Sequence, residues 1–289
     1  MKPVVAVLGA NGVYARHLLP RLTQECDAIA IVRRPEAAGL ARACGATIRT
    51  ADIFDAGSMT AALEGCDNAI NLATTLPGPS GRGDFAANDR LRVEGVPNFI
   101  EACRAAGVER IIQQSIGLAS ASGGSNWSDE GDIYQPAVDS IATRAIAAAL
   151  AMEQSVRASD RDWIILRGGL FYGPGTGFDE GWFGRAATGK LKLPGDGKGY
   201  VSLVHIADMA AATIASVQRW PARETLIICD DQPVQWRELF SFIAACVGQA
   251  EPAPGGQDGF PSFRLRNARA KDALGWQPFY ATYREGLTR

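Results

Sequence analysis

Apolar runs alternate with helical repeats along most of the chain. Val4–Leu8 is a β-branched apolar run, which is typical of a strand buried on both faces of a parallel sheet. Gly9-Ala10-Asn11-Gly12 interrupts the run, and Val13–Glu25 then carries apolar residues at helical spacing. The same patterns predict strands at 28–32, 46–48, 68–72, 110–114, 163–167 and 225–229. They predict helices at 35–44, 58–65, 89–106, 139–159 and 205–219.

The order of these elements predicts the fold class. Strands that alternate with helices at this spacing form a parallel sheet with helices on both faces. We therefore expect an α/β protein with a Rossmann-type, doubly wound parallel sheet. Glycine- and proline-rich stretches change the pattern after residue 170. We expect one domain at 1–170 and a smaller C-terminal region at 171–289, from which residues 201–230 return to the sheet.

A glycine-rich turn joins the first strand to the first helix. In Gly9-x-x-Gly12-x-x-Ala15, Gly9 allows a tight turn and Gly12 lets the backbone approach a pyrophosphate at the helix N-terminus. Glycines also occur at strand-to-helix turns that bind nothing. The position after the first strand, with a second strand ending about 20 residues later, favours a dinucleotide site. Residues 1–170 are therefore predicted to be a dinucleotide-binding domain.

The residues that follow the second strand bear on the choice of dinucleotide. An acidic residue there would accept from a free ribose 2′-hydroxyl, whereas an arginine suits a 2′-phosphate. Arg33-Arg34 occupy this place, so NADP is favoured over NAD. The alternative is a solvated basic start to the next helix, where Glu36 would pair with an arginine. Asp52-Ile53, after the third strand, fit a contact to the adenine edge, and a capped turn is the alternative.

Composition excludes several classes of protein. The 289 residues are 47% hydrophobic and carry a net charge of −2, which argues against a partner such as nucleic acid or an anionic membrane. No apolar run reaches the roughly 20 residues that span a bilayer. Six cysteines without a C-x-x-C pair indicate reduced thiols and a cytoplasmic location. With two histidines and no H-E-x-x-H motif, we expect no metal site.

Further motifs along the chain resemble a known superfamily. They are Ala51-Asp52-Ile53-Phe54-Asp55, Asn71-Leu72-Ala73, Glu94-Gly95-Val96-Pro97-Asn98, Ile165-Leu166-Arg167, Tyr172-Gly173-Pro174-Gly175, Val204-His205-Ile206-Ala207-Asp208 and Leu274-Gly275-Trp276-Gln277-Pro278. The sequence resembles the extended or atypical short-chain dehydrogenase/reductase superfamily, of the NAD(P)-dependent epimerase/dehydratase type. The resemblance implies a dinucleotide over the carboxyl ends of the strands and a C-terminal region that closes over a small-molecule substrate. It also implies a homodimer through the helices at 89–106 and 139–159.

The glycine turn and the resemblance together define a predicted cofactor site. Its residues are Gly9, Asn11, Gly12, Val13, Arg33, Arg34, Asp52, Ile53, Leu72, Ala73, Thr74, Gly169 and Leu170.

The resemblance also implies a catalytic Tyr-x-x-x-Lys pair, in which the lysine lowers the tyrosine pKa. Counting back from Glu153 by the family spacing places the two positions at Ala145 and Ala149. Lysine occurs only at 2, 190, 192, 198 and 271, so no lysine lies on the helix at 139–159. We therefore expect a divergent active site that lacks the usual proton relay.

Three residues are candidates for the remaining chemistry, and each has an alternative. Ser115 lies at or beside the family's serine position, where it would hold a substrate carbonyl or only cap a turn. Tyr134 follows Asp129, Glu130 and Asp132 in a polar loop, where it would donate a proton or simply lie at the surface. Arg144 would offer a cation to an anionic substrate, or be a solvated helix residue.

These expectations define three functional hypotheses. The leading hypothesis is an NADP-binding enzyme of the epimerase/dehydratase type, either an oxidoreductase or an isomerase or lyase, acting on a small organic substrate. A non-redox enzyme on the same fold is one alternative. A non-catalytic regulator that senses NADP is the other, because regulator-like members of the superfamily also lack the tyrosine and the lysine.

Overall fold

The computed structural model describes residues 2–77, 83–136, 138–256 and 259–288. Its strands are β1 (Val4–Leu8), β2 (Asp27–Val32), β3 (Thr47–Thr50), β4 (Asn68–Asn71), β5 (Arg110–Ile116), β6 (Trp127–Ser128), β7 (Asp162–Gly168), β8 (Leu170–Tyr172), β9 (Leu193–Pro194), β10 (Tyr200–Val201), β11 (Leu203–His205), β12 (Glu224–Ile228), β13 (Val234–Gln235), β14 (Pro254–Gly256) and β15 (Arg264–Leu265).

The helices occupy the connections between these strands. They are α1 (Val13–Glu25), α2 (Gly39–Ala43), α3 (Ala56–Leu63), α4 (Phe85–Arg90), α5 (Val96–Ala105), α6 (Ile141–Arg157), α7 (Phe178–Ala187), α8 (Ile206–Arg219), α9 (Trp236–Cys246), α10 (Ala268–Leu274) and α11 (Tyr283–Leu287). Short 3₁₀ turns occur at Pro35–Ala37 and Gly117–Ser120, and a π-helical stretch, Leu91–Gly95, joins α4 to α5. None of the helices in the described ranges is long and apolar enough to cross a membrane.

Seven strands form a parallel sheet in the order β12-β7-β5-β4-β1-β2-β3. The order reverses beside β1, which pairs with β2 on one side and with β4 on the other. In such sheets the crevice at the carboxyl ends of the strands beside the reversal is the usual ligand site. The predicted α/β class with a Rossmann-type parallel sheet is confirmed.

The buried strands explain why the hydrophobic pattern predicted the sheet well. Val5, Val7, Ile31 and Ile70 are at most 2% exposed, because helices cover both faces of the sheet. The pattern predicted poorly where an element is short. The helix expected at 35–44 consists of the 3₁₀ turn and α2, and strands of two or three residues such as β9 and β10 carry no readable alternation.

The chain divides into two compact units. Unit 1 comprises Met1–Ser115, Ala147–Leu166 and Ala210–Thr225. Its core on one side of the sheet is built from buried side chains such as Leu8, Ile31, Met59, Phe99 and Ile111. These side chains come from β1, β2, α3, α5 and β5, so the strand that precedes the glycine turn is part of a packed core.

Unit 2 comprises Ile116–Ile146, Arg167–Met209 and Leu226–Arg289. Its largest buried cluster contains Trp182, Trp236, Phe240, Phe263 and Tyr283. Pairs of short strands, β8 with β11, β9 with β14, β10 with β13 and β6 with β15, fix its connecting segments. The predicted assignment of 1–170 to a dinucleotide and of 171–289 mainly to a substrate stays a prediction.

Candidate cofactor and active site

Gly9 holds the turn after β1 against the end of β4. Its φ of +80° lies in the left-handed region, and a Cβ placed on it would lie 2.8 Å from the Ala73 nitrogen and 2.9 Å from the Leu72 carbonyl carbon. Both the backbone conformation and this close approach require glycine. The Gly12 nitrogen donates to the Gly9 carbonyl oxygen at 2.9 Å and closes the turn.

The N-terminus of α1 points its dipole at the same turn. Gly12 is the N-cap residue, and within the described ranges no side chain caps α1 and its first turn has no acidic residue. The end of the helix therefore keeps its positive character for an anionic ligand. Behind it, the Tyr14 hydroxyl and the Thr213 hydroxyl share a hydrogen bond of 2.5 Å, and burial raises the pKa of Tyr14. Tyr14 is thus a neutral anchor for α1.

A cavity of about 110 Å³ lies beside this turn within unit 1. It brings together many of the predicted cofactor residues from the ends of β1, β2, β3 and β4. They are Gly9, Asn11, Arg33, Arg34, Asp52, Ile53, Ala73 and Thr74. Among the other predicted residues of this unit, Gly12 is the N-cap of α1, Val13 is its first residue, and Leu72 is buried directly after β4. Gly169 and Leu170 belong to unit 2.

Arg33 and Arg34 both line the cavity and are both exposed. Arg34 Nε lies 3.8 Å from Glu36 Oε1, and both side chains of this pair are about 70% exposed. An exposed pair at this distance contributes little, so it does not hold the guanidinium away from the cavity. Asp52 is the single acidic residue among the described residues that line the cavity.

Asp52 makes a turn without capping a helix. Its Oδ1 accepts from the Phe54 nitrogen at 3.0 Å, whereas the N-cap of α3 is Asp55, which accepts from the nitrogens of Gly57 and Ser58. The adenine contact assigned to Asp52 and Ile53 stays a prediction.

Ser115 is buried and its hydroxyl is engaged. The hydroxyl donates to Glu153 Oε1 at 2.6 Å, and Glu153 Oε2 accepts from Arg157 at 2.8 Å. Arg157 also donates to the Thr225 hydroxyl at 3.0 Å. A serine that donates to a buried carboxylate has no second proton for a substrate carbonyl. The catalytic role of Ser115 stays a prediction. The carboxylate of Glu153 orients the Ser115 hydroxyl by accepting its hydrogen bond.

The helix α6 contains neither a tyrosine nor a lysine. Ala145 and Ala149 lie on it, and Ala149 is completely buried. Neither residue carries a hydroxyl or an ammonium group. That these are the family's tyrosine and lysine positions stays a prediction.

Tyr134 and Arg144 lie in unit 2. Tyr134 is half-buried, and its backbone N–H donates to the Ala119 carbonyl oxygen at 2.9 Å. Its side chain packs against the apolar cluster of this unit. Arg144 pairs with Asp139 at 2.9 Å, and both side chains are more than half exposed. Their catalytic roles stay predictions, and the surroundings of Arg144 match the solvated alternative.

A second cavity, of about 440 Å³, lies within unit 2. The described residues that line it are Leu170, Phe178, Trp182, Arg185, Lys190, Leu191, Lys192, Pro194, Trp236, Phe240, Gly256, Gly259 and Phe260. The sequence pattern marked Leu170 for the cofactor, but missed the aromatic walls and the cations. The lysine distribution was the available signal, because two of the five lysines lie here.

Comparison with known proteins identifies the family. The family model described as NAD(P)H-binding matches residues 9–216, so the chain belongs to this NAD(P)H-binding family. A Streptomyces protein named 3-diazoavenalumate denitrifying reductase is 36% identical over 221 residues, which cover 71% of this chain and 72% of that protein. A ceramide reductase from Caulobacter vibrioides is 26% identical over 213 residues, 73% of this chain and 60% of that protein.

Solved structures share the fold at low identity. A UDP-glucose 4-epimerase from Thermotoga maritima, solved with UDP-glucose, superposes with a TM-score of 0.80 at 19% identity, covering 98% of this chain and 96% of that one. A dTDP-glucose 4,6-dehydratase from Streptomyces venezuelae, solved with NAD, gives 0.81 at 19% identity, covering 99% and 94%. The expected epimerase/dehydratase resemblance and the expected class, an NAD(P)-dependent oxidoreductase- or epimerase-like enzyme, are confirmed.

Proposed function

We propose that the protein is an NADP-dependent reductase that directs hydride to a small organic substrate without a tyrosine–lysine relay. The observation that carries the proposal is the cavity of unit 1, where the glycine turn, both arginines after β2 and Asp52 line one space. A cofactor of this class supplies hydride when it is bound. The reductase names of the two relatives support reduction over epimerisation.

The chain's own groups fit a dinucleotide. The turn at Gly9 and Gly12 and the N-terminus of α1 suit the pyrophosphate, because the backbone comes close and no acidic side chain of the described first turn opposes the charge. Arg33 and Arg34 suit a 2′-phosphate, because a guanidinium binds phosphate through two parallel hydrogen bonds.

The missing relay limits the kind of acceptor. With alanine at 145 and 149, and with the Ser115 hydroxyl donating to Glu153, these three positions offer no proton to the acceptor. Losing general acid catalysis slows a carbonyl reduction by roughly 10²–10⁴-fold. An acceptor that needs hydride alone avoids this cost.

A diazonium group, the cationic form of an aromatic diazo compound, is one such acceptor. Hydride forms a new N–H bond at the terminal nitrogen; the C–N bond then breaks, the hydrogen passes to carbon and dinitrogen leaves. The electrons balance with one hydride and no added proton. The relative named as a denitrifying reductase of a diazo compound supports this assignment.

Fluorescence titration with NADPH and NADH tests the cofactor. We expect tighter binding of NADPH, and we expect Arg33→Ala to weaken NADPH binding about tenfold with little effect on NADH, since a hydrogen bond to a charged group is lost. Arg104→Ala is the matched control, because this exposed arginine pairs with Glu101 on α5 away from the cavity. Equal affinity of the wild type for both cofactors would contradict the assignment to NADP.

Turnover tests the reaction. NADPH oxidation is followed with a benzenediazonium salt and with a carbonyl panel, and product mass is measured separately. We expect cofactor oxidation and arene formation with the diazonium salt, at rates above the enzyme-free background. Binding of NADPH without oxidation by any acceptor would overturn the reductase and favour the NADP-sensing regulator. Product without net oxidation would favour isomerase or lyase chemistry.

A further inference from the structure

The cavity of unit 2 has an unusual set of walls. Its described lining contains aromatic and aliphatic side chains, proline, glycine and three cations. The same set holds no carboxylate, amide or hydroxyl side chain. At about 440 Å³ the cavity is of the size that encloses a small organic molecule.

Two helices supply the aromatic walls. Phe178 and Trp182 lie four residues apart on α7, and Trp236 and Phe240 lie four residues apart on α9, so each pair shares one helix face. The Trp182 ring meets Trp236 edge to face at 6.0 Å and lies 5.7 Å from Phe240. These packed rings form a fixed apolar surface, and the more exposed Phe178 and Phe260 extend it toward solvent.

The cations lie at the solvent side of the same walls. Arg185 lies three residues after Trp182 on α7, and Lys190 and Lys192 alternate with the buried Leu191 and Leu193. All three cations are exposed, and no carboxylate among the described residues pairs with them. Three other exposed cations of unit 2 do have such partners: Lys198 pairs with Asp196, Arg237 with Glu251 and Arg284 with Glu238.

This lining selects among anionic ligands. Sugar hydroxyls and the polar edge of a base need hydrogen-bonding side chains, because such groups bind poorly when they lose water without a partner. The described walls offer only side-chain donors, from the three cations and the indole N–H groups of Trp182 and Trp236, and no side-chain acceptor. A flat apolar body fits the rings, and a single anionic group fits the lysines and the arginine.

We propose that the cavity of unit 2 binds an aromatic carboxylate, with the ring against Trp182 and Trp236 and the carboxylate at Lys190, Lys192 and Arg185. The identification of this ligand as the substrate class rests on the proposed reductase function, whereas the binding of the ligand does not depend on that function. Substrates would then be recognised by a carboxylate at one end and an aromatic ring at the other.

Direct binding to the whole 289-residue chain, without NADPH, tests the inference. Benzoate, trans-cinnamate and 3-phenylpropionate are titrated by tryptophan fluorescence, with saturation-transfer NMR as a second readout. We expect quenching by at least one carboxylate, and weaker binding as salt rises. We expect cinnamamide to bind with the same affinity at every salt concentration, and UDP-glucose not to bind.

Charge variants locate the site. The double variant Lys190→Gln/Lys192→Gln is expected to weaken binding of the carboxylate about tenfold, since each exposed charge contributes modestly. Binding of cinnamamide should not change. Lys198→Gln is the matched control, because this lysine is also exposed and lies in the same stretch of chain, but pairs with Asp196 and does not line the cavity.

The inference is overturned by the absence of quenching by all three carboxylates, or by equal weakening of binding in Lys198→Gln and in the double variant. Tighter binding of UDP-glucose than of every carboxylate would also overturn it and assign the cavity to a nucleotide sugar. All of these are read without NADPH. Failure of the cofactor titration or of turnover would therefore count against the reductase alone.

Discussion

The Ser115 hydroxyl donates to the buried carboxylate of Glu153 at 2.6 Å. This bond joins the carboxyl end of β5 to α6, and Arg157 holds the other oxygen of the same carboxylate. The serine that sequence analysis proposed as a contact to substrate is therefore part of a buried polar network in unit 1.

Replacing Glu153 is expected to destabilise the protein. Glu153→Gln removes a completely buried charge that pairs with Arg157 and accepts from Ser115, so we expect a loss of about 2 kcal/mol in the free energy of unfolding by urea. Glu94→Gln, which breaks the exposed pair with Arg90, should cost at most about 0.5 kcal/mol. Equal losses in the two variants would contradict a buried network.

Gly9→Ala is expected to impair both folding and cofactor binding. The new Cβ would lie too close to the backbone of residues 72 and 73, and alanine would also be strained at a positive φ. Together we expect these effects to lower the free energy of unfolding by about 3 kcal/mol. Gly45→Ala is the matched control, since Gly45 has a φ of +84° but nothing within 4 Å of the new Cβ. It should cost about 1 kcal/mol and leave the affinity for NADPH unchanged.

The buried carboxyl group of Asp230 is expected to make the stability of the protein depend on pH. Burial raises its pKa well above the ordinary range, with further increases from Asp231 and Asp208. The folded protein therefore keeps a proton that the unfolded chain has lost, so stability falls as pH rises above about 4. Asp230→Asn should remove this contribution and raise stability at neutral pH.

The neighbouring residue provides the control. Asp231 accepts from Asn267 at 2.7 Å and pairs with Lys271 at 2.6 Å, so Asp231→Asn should lower stability at neutral pH. Urea titrations at several pH values measure both variants. Destabilisation by both substitutions would show that Asp230 is ionised in the folded state.

Arg144→Ala is expected to change turnover less than about twofold, because the guanidinium already pairs with Asp139 in an exposed position. Steady-state NADPH oxidation measures the effect, with Asp139→Ala as the companion variant. A loss of tenfold or more in kcat with Arg144→Ala alone would restore this arginine as a catalytic residue.

The sequence predicted the parts of the fold whose signals are local. The apolar run Val4–Leu8, the turn at Gly9 and the helix after it lie within one short stretch, and each pattern reflects its own burial. The residues at the ends of β2 and β3 followed from the parallel arrangement, which brings carboxyl ends together.

Longer-range relationships were beyond the sequence patterns. The bond from Ser115 to Glu153 joins residues 38 positions apart, and no periodicity indicates such a pair. The described walls of the unit 2 cavity come from α7, α9, the segment around residue 190, and Gly256, Gly259 and Phe260. Each aromatic residue by itself is typical of a core position. Only the three-dimensional structure distinguishes an aromatic residue that lines a cavity from one that packs in the hydrophobic core.

The contact between Gly9 and the backbone at Leu72 and Ala73 has a consequence for binding. A turn that packs directly on a neighbouring strand end is ordered by folding itself, so a dinucleotide need not arrange it on arrival. Less conformational freedom is then lost on association, and more of the free energy of contact appears as affinity. The turn after β1 is in this sense a rigid template, whose shape is set before any ligand is present.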